Sequence, residues 1–107
     1  MNSLKVDLIQ ANTNPIKMAN FITKTVNNSF RQKVLNLLLS DDRLSVNELC
    51  DKLKTEQSVM SQHLAILRKA GLVNTEREGK RIFYSVNQDY LQDTINTILH
   101  LTREVAK

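Results

Sequence analysis

The chain has 107 residues, 41% hydrophobic and 24% charged, which suits one soluble globular domain with a modest core. Aromatics make up only 5%, Trp is absent, and there are 2 Gly and 1 Pro; this argues against aromatic platforms for single-stranded nucleic acid, glycine-rich phosphate loops and sandwich folds. A formal charge of +4 fits a polyanionic partner, and a single cysteine excludes a disulfide framework within the chain.

Neither a membrane-length apolar run nor a charged-then-apolar leader is present, so a cytoplasmic protein that does not engage a membrane is expected. Residues 1–13 carry Leu4, Val6, Leu8 and Ile9 in polar company and read as a frayed helix or an arm. Asn14-Pro15 opens a helix over about 15–26, with Pro at the first helical position and Ile16, Ala19, Ile22 and Val26 at helical spacing. Asn27-Asn28-Ser29 interrupts it. Phe30, Val34, Leu35, Leu37, Leu38 and Leu39 predict a second, deeply buried helix, ended by Ser40-Asp41-Asp42.

Ser45 is a plausible N-cap for a short helix from Val46 to Leu53, with Glu48 three residues on as in a capping box. Lys54-Thr55-Glu56 is a tight turn, and Gln57 to Ala70 is a further helix stopped by Gly71. At about 100° per residue, Val59, Met60, Leu64, Leu67 and Ala70 fall on one side, toward the preceding helix. Ser58, Ser61, Gln62, Ala65 and Lys69 fall on the other. They are mostly small or hydrogen-bonding, as a helix lying in a major groove requires, and a Gln such as Gln62 can pair bidentately with adenine. Gln57 and Ser58 sit where free backbone N–H groups attract phosphate. His63 lies near the edge of the apolar side, where two roles stay open: a phosphate contact from the rim, or a partly buried structural histidine.

Leu72 to Arg77 and Arg81 to Val86 are β-like runs around Glu78-Gly79-Lys80, with β-formers Leu72, Val73, Ile82, Tyr84 and Val86 and with Gly79 at the tip. Arg77, Lys80 and Arg81 can straddle phosphates or enter a minor groove. Glu76 and Glu78 oppose them and can form surface ion pairs. The last helix, about 88–105, steps through Leu91, Ile95, Ile98, Thr102 and Val105 in a heptad seam. That seam suits pairing with a second copy, with Ile16, Ala19 and Ile22 of the 15–26 helix contributing; packing on that helix within one chain is the alternative.

Helix, turn, helix and basic hairpin together give a winged helix-turn-helix: mainly α with a small β-hairpin wing (α+β), one domain, the helix-turn-helix at about 46–70 and the wing at about 72–86. The run from Gln57 to Val73 resembles the recognition segment of the ArsR/SmtB repressor family, Q-S-x-x-S-x-H-L-x-x-L-x-x-A-G-L-V. Arg77, Gly79 and Tyr84 fit its wing pattern R-x-G-x-x-x-x-Y, and the resemblance extends over residues 28–86. It implies a homodimeric repressor of an inverted-repeat operator on double-stranded DNA, with dimer contacts from the first and last helices.

Metal sensing by such proteins transfers poorly to this chain. Glu48-Leu49-Cys50 matches an E-L-C-x-C site, but Lys52 replaces the second cysteine, and a cation there opposes metal binding. For a D-x-H…H-x-x-E site, registering on His100 puts Asn87 and Asp89 at the first pair and Arg103 at the last, with Glu104 one residue off. Cys50, Asp89 and His100 therefore remain as isolated candidate ligands, and no metal or other cofactor is expected. Cys50 reads as a small core residue or a single-thiol sensor. No nucleophile–base–orienter set supports an enzyme. Other readings are a winged helix used for protein interaction, and a metal- or redox-responsive repressor using Cys50 or His100. Any inducer stays open.

Overall fold

Five helices and three strands run through the described residues of the computed structural model in the order α1 (Pro15–Val26), α2 (Ser29–Asp41), β1 (Leu44–Ser45), α3 (Val46–Leu53), α4 (Gln57–Lys69), β2 (Val73–Glu78), β3 (Arg81–Val86) and α5 (Gln88–Ala106). The description covers the backbone of residues 15–106 and their side chains except those at 15, 16, 18, 98 and 101–106. The expected arm at 1–13 lies outside it, as do the side chains of Ile16, Ile98, Thr102 and Val105.

Most boundaries follow from local chemistry. Pro15 opens α1, where its missing N–H costs nothing. Asn28 caps α2 by accepting from the Arg31 N–H at 2.9 Å. At α3 the capping box is complete: Ser45 Oγ accepts from the Glu48 N–H at 3.2 Å, and Glu48 Oε1 accepts from the Ser45 N–H at 2.9 Å. Lys54 ends α3 in the left-handed region at φ 51°, and the turn to α4 follows at once. α4 ends in a Schellman motif, with the Leu72 N–H donating to the Leu67 carbonyl at 3.0 Å and the Gly71 N–H to the Arg68 carbonyl at 2.9 Å. Gly71 takes φ 79°, and a Cβ there would lie 2.8 Å from Tyr90 Cε2. The tip of the hairpin is two residues long, Gly79-Lys80, between the paired Glu78 and Arg81. Gly79 takes φ 64° and Lys80 does not share the positive φ, the pattern of a II′ turn.

The sheet adds a strand that the sequence reading did not contain. β1 pairs antiparallel with β3, Leu44 opposite Tyr84 and Ser45 opposite Phe83, so the order is β1-β3-β2. Ser45 thus serves as strand residue and helix cap together, which ties the wing to the start of α3.

Val34, Leu35 and Leu38 of α2, Leu49 of α3 and Met60, Leu64 and Leu67 of α4 meet Leu44, Leu72, Val73 and Val86 in one core. Fully burying each such side chain stabilises the fold by about 1.5–3 kcal/mol. Three expectations are corrected here. Ile22, assigned to the dimer contact, is 2% exposed inside the protomer's own core. Val59, assigned to the buried side of α4, is 40% exposed, because it falls at the edge of an apolar stripe centred on Met60, Leu64 and Leu67. Leu39 is exposed on α2, since only one face of that helix meets the core. The architecture is a winged helix-turn-helix: α3, turn and α4 supported by α2, followed by the β2–β3 wing.

Candidate nucleic-acid interface

Met60, Leu64 and Leu67 anchor α4 to the core and so decide which residues face out. Gln57, Ser58, Ser61, Gln62, Ala65 and Lys69 are all exposed. The result is a convex ridge of short polar side chains, with Gln62 near its middle and Lys69 at its C-terminal end. Val59 and Ile66 flank the ridge and are exposed as well. Glu56, the residue before α4, makes no side-chain cap bond. The first amides of α4 are therefore open to an outside acceptor, unlike those that Asn28 and Ser45 cap.

His63 is only half-buried, and α2 packs against it. Its ring lies 4.6 Å from that of Phe30, centroid to centroid. Arg31 Nη1 lies 3.2 Å from His63 Nδ1. Burial first, and then the Arg31 charge, hold the imidazole below the usual histidine range.

On the wing, strand alternation separates the charges. Glu76, Glu78, Arg81 and Phe83 share one face through the register pairs Glu76–Phe83 and Glu78–Arg81. Arg43, just before β1, covers that face. Its Nη1 donates to Glu76 Oε1 at 2.8 Å and to Glu78, and its guanidinium lies 4.1 Å from the Phe83 centroid. The Arg43 hydrogen bond holds the Glu78 carboxyl below its ordinary range. Arg81, expected to reach outward, folds back instead: its Nη2 donates to Ser45 Oγ at 3.1 Å and to Glu48 Oε1 at 3.4 Å. Arg77 points to the opposite face and Lys80 occupies the tip. Both are exposed, and neither forms an ion pair among the described residues. They are the wing cations freest to meet phosphate. Arg43 was not singled out in the sequence reading, because its partners lie more than thirty residues away along the chain.

The metal candidates do not converge. Among the described residues no three His, Cys, Asp or Glu groups come together. Lys52, in place of a second thiolate, forms an ion pair with Asp41 at 3.6 Å. Burial, with Asp51 adding to it, pushes the Cys50 thiol up, so it stays protonated at neutral pH. Asp89 and His100 are both exposed on α5, and at 1.5 Å per residue they stand about 16 Å apart along one helix.

α5 packs on α1 within the chain. Leu91 is half-buried against the core, as is Tyr90, and Ala19 of α1 is also half-buried. Further along α5, Ile95 is 42% and Leu99 50% exposed. Leu99 lies off the expected seam. No helix among the described residues is long and apolar enough to cross a membrane.

Comparison with known proteins places this geometry. A family model described as "Bacterial regulatory protein, arsR family" matches residues 28–75, from the N-cap of α2 into β2. The transcriptional activator HlyU of Vibrio cholerae is 42% identical over 79 residues, 74% of this chain and 71% of the relative. The transcriptional repressor SdpR of Bacillus subtilis is 32% identical over 81 residues, 76% of this chain and 89% of the relative. A solved structure of the V. cholerae HlyU superposes with a TM-score of 0.65 at 37% identity, covering 85% of this chain and 95% of that one.

Proposed function

This chain belongs to the arsR family of bacterial regulatory proteins and is a DNA-binding transcription regulator, and from that premise we propose that it acts as a cytoplasmic homodimeric repressor of an inverted-repeat operator. The observation that carries the reading is the ridge of α4: Ser58, Ser61, Gln62 and Lys69 exposed on a helix whose opposite side is locked into the core. Gln62 reads a base edge, and Ser58 and Ser61 add shorter contacts in the major groove. The open amides at Gln57 and Ser58 receive a backbone phosphate. Arg77 and Lys80 clamp the flanking backbone without reading sequence. Dimerisation uses the outer side of α5, where Ile95 and Leu99 are exposed, together with α1. Occupancy of the operator excludes other proteins from it, so repression needs nothing beyond this surface. The chain performs no catalysis of its own.

Selection of bound fragments from randomised duplex DNA at about 0.15 M salt, near physiological ionic strength, tests the proposal. Enrichment of an inverted repeat with half-sites about one helical turn apart, or a multiple of it, is the expected result. Recovery of no sequence, with only weak salt-sensitive binding left, would sink it and favour a protein-interaction module.

A further inference from the structure

The C-terminal end of α1 is closed by side chains of the next helix. A helix leaves its last four carbonyls without intrahelical donors. Here Thr23 O accepts from the Asn27 N–H at 2.8 Å, and Val26 O from Gln32 Nε2 at 2.7 Å. The two between them belong to one guanidinium: Arg31 Nε donates to Thr25 O at 2.8 Å and Nη2 to Lys24 O at 3.4 Å. A cation at this end also suits the helix dipole. The remaining arm of the same fork reaches α4, with Nη1 3.2 Å from His63 Nδ1. A guanidinium has no acceptor, so Nδ1 accepts and the ring proton sits on Nε2. Phe30, beside Arg31 in sequence, packs against the same imidazole.

We infer that Arg31 is a positioning residue that couples the end of α1 to the middle of α4 and thereby sets the half-site spacing the dimer accepts. The inference rests on the dimeric DNA-reading role proposed above. In that role α1 and α5 form the two-fold contact while α4 reads bases. The spacing between half-sites follows from the separation and tilt of the two reading helices. A rigid, planar fork hydrogen-bonded to both helices holds that relation; a lysine reproduces the charge but not the fork. Arg31 therefore governs spacing, and Gln62 and the serines govern base identity.

The test is a selection from duplexes carrying two half-sites separated by a variable spacer, using wild type, Arg31→Lys, His63→Leu and the double variant, each checked for folding by circular dichroism. Wild type is expected to enrich one spacer. Arg31→Lys and His63→Leu should each keep the half-site bases, spread to neighbouring spacers, and lose about tenfold in affinity for the preferred site, the scale of one charged hydrogen bond. The double variant should lose little more than the worse single variant, since both remove one contact. His63→Leu leaves the α1 carbonyl bonds in place, so it probes the link even where Arg31→Lys loosens α1. If both folded variants keep the wild-type spacer and bind within about twofold, the coupling is refuted while the repressor reading stands. If wild type itself enriches only isolated half-sites, the dimeric reading falls, and the coupling falls with it.

Discussion

At Gly71 two constraints meet in one residue. The Schellman end of α4 requires φ 79° there, and Tyr90 of α5 lies where a Cβ would go. Gly71→Ala should therefore cost more than the roughly 1 kcal/mol of the left-handed conformation alone, with urea unfolding as the measurement. A cost below that would show that Tyr90 moves aside freely. His63 carries a second prediction at this scale. Its folded-state pKa is lowered, so its contribution is fully present above about pH 6.5, the usual unfolded value. As the pH falls below that, the unfolded chain takes up a proton that the folded chain refuses, and stability is lost down through the folded-state value. Unfolding at pH 7.5 and 5.5 should show a smaller acid loss for His63→Gln than for wild type; equal losses would mean that the ring is not held neutral. The sequence places His63 at the rim of the apolar stripe, but its contacts with Phe30 and Arg31 were not legible there, because those residues belong to another helix.

Among the elements, those set by near neighbours were legible and those set across the fold were not. The capping box at Ser45 and Glu48, the stop at Gly71 and the turn at Gly79 each rest on residues within a few positions, and each is present. β1 is two residues long and gains its identity only from Phe83 and Tyr84. The Arg43 cover over Glu76, Glu78 and Phe83 is equally non-local. That cover holds the wing against the body of the domain. Arg43→Ala should speed hydrogen exchange at the β2 and β3 amides near Glu76–Arg81 and weaken DNA binding, with little change in melting temperature, because surface ion pairs contribute little to global stability. Unchanged exchange would assign wing rigidity to the strand pairing alone.

On the scale of the whole molecule, the apolar residues of α1 and α5 divide between this protomer's core and its surface. The α5 seam suits a second copy or packing within the chain; Leu91 packs against this protomer's core, and Ile22 of α1 belongs to that core. Periodicity marks an apolar face without saying which partner covers it. Among the described residues, Ile95 of the seam and Leu99 beside it are exposed and available to a second copy. Ile95→Glu with Leu99→Glu should convert a dimer to a folded monomer in sedimentation velocity and weaken operator binding. A dimer that survives both changes would move the contact elsewhere.

The central claim is that the exposed ridge of α4 reads bases while the wing cations supply attraction that is blind to sequence. It is tested most directly by the ratio of operator to random-duplex affinity, measured for wild type, Gln62→Ala and Lys80→Ala across a salt series. Gln62→Ala should lower the ratio by about 1–3 kcal/mol and relax preference at one base position. Lys80→Ala should weaken both duplexes alike and reduce the salt slope by about 1, leaving the ratio unchanged. An unaltered ratio for Gln62→Ala, or a ratio that collapses for Lys80→Ala, would contradict this division of labour.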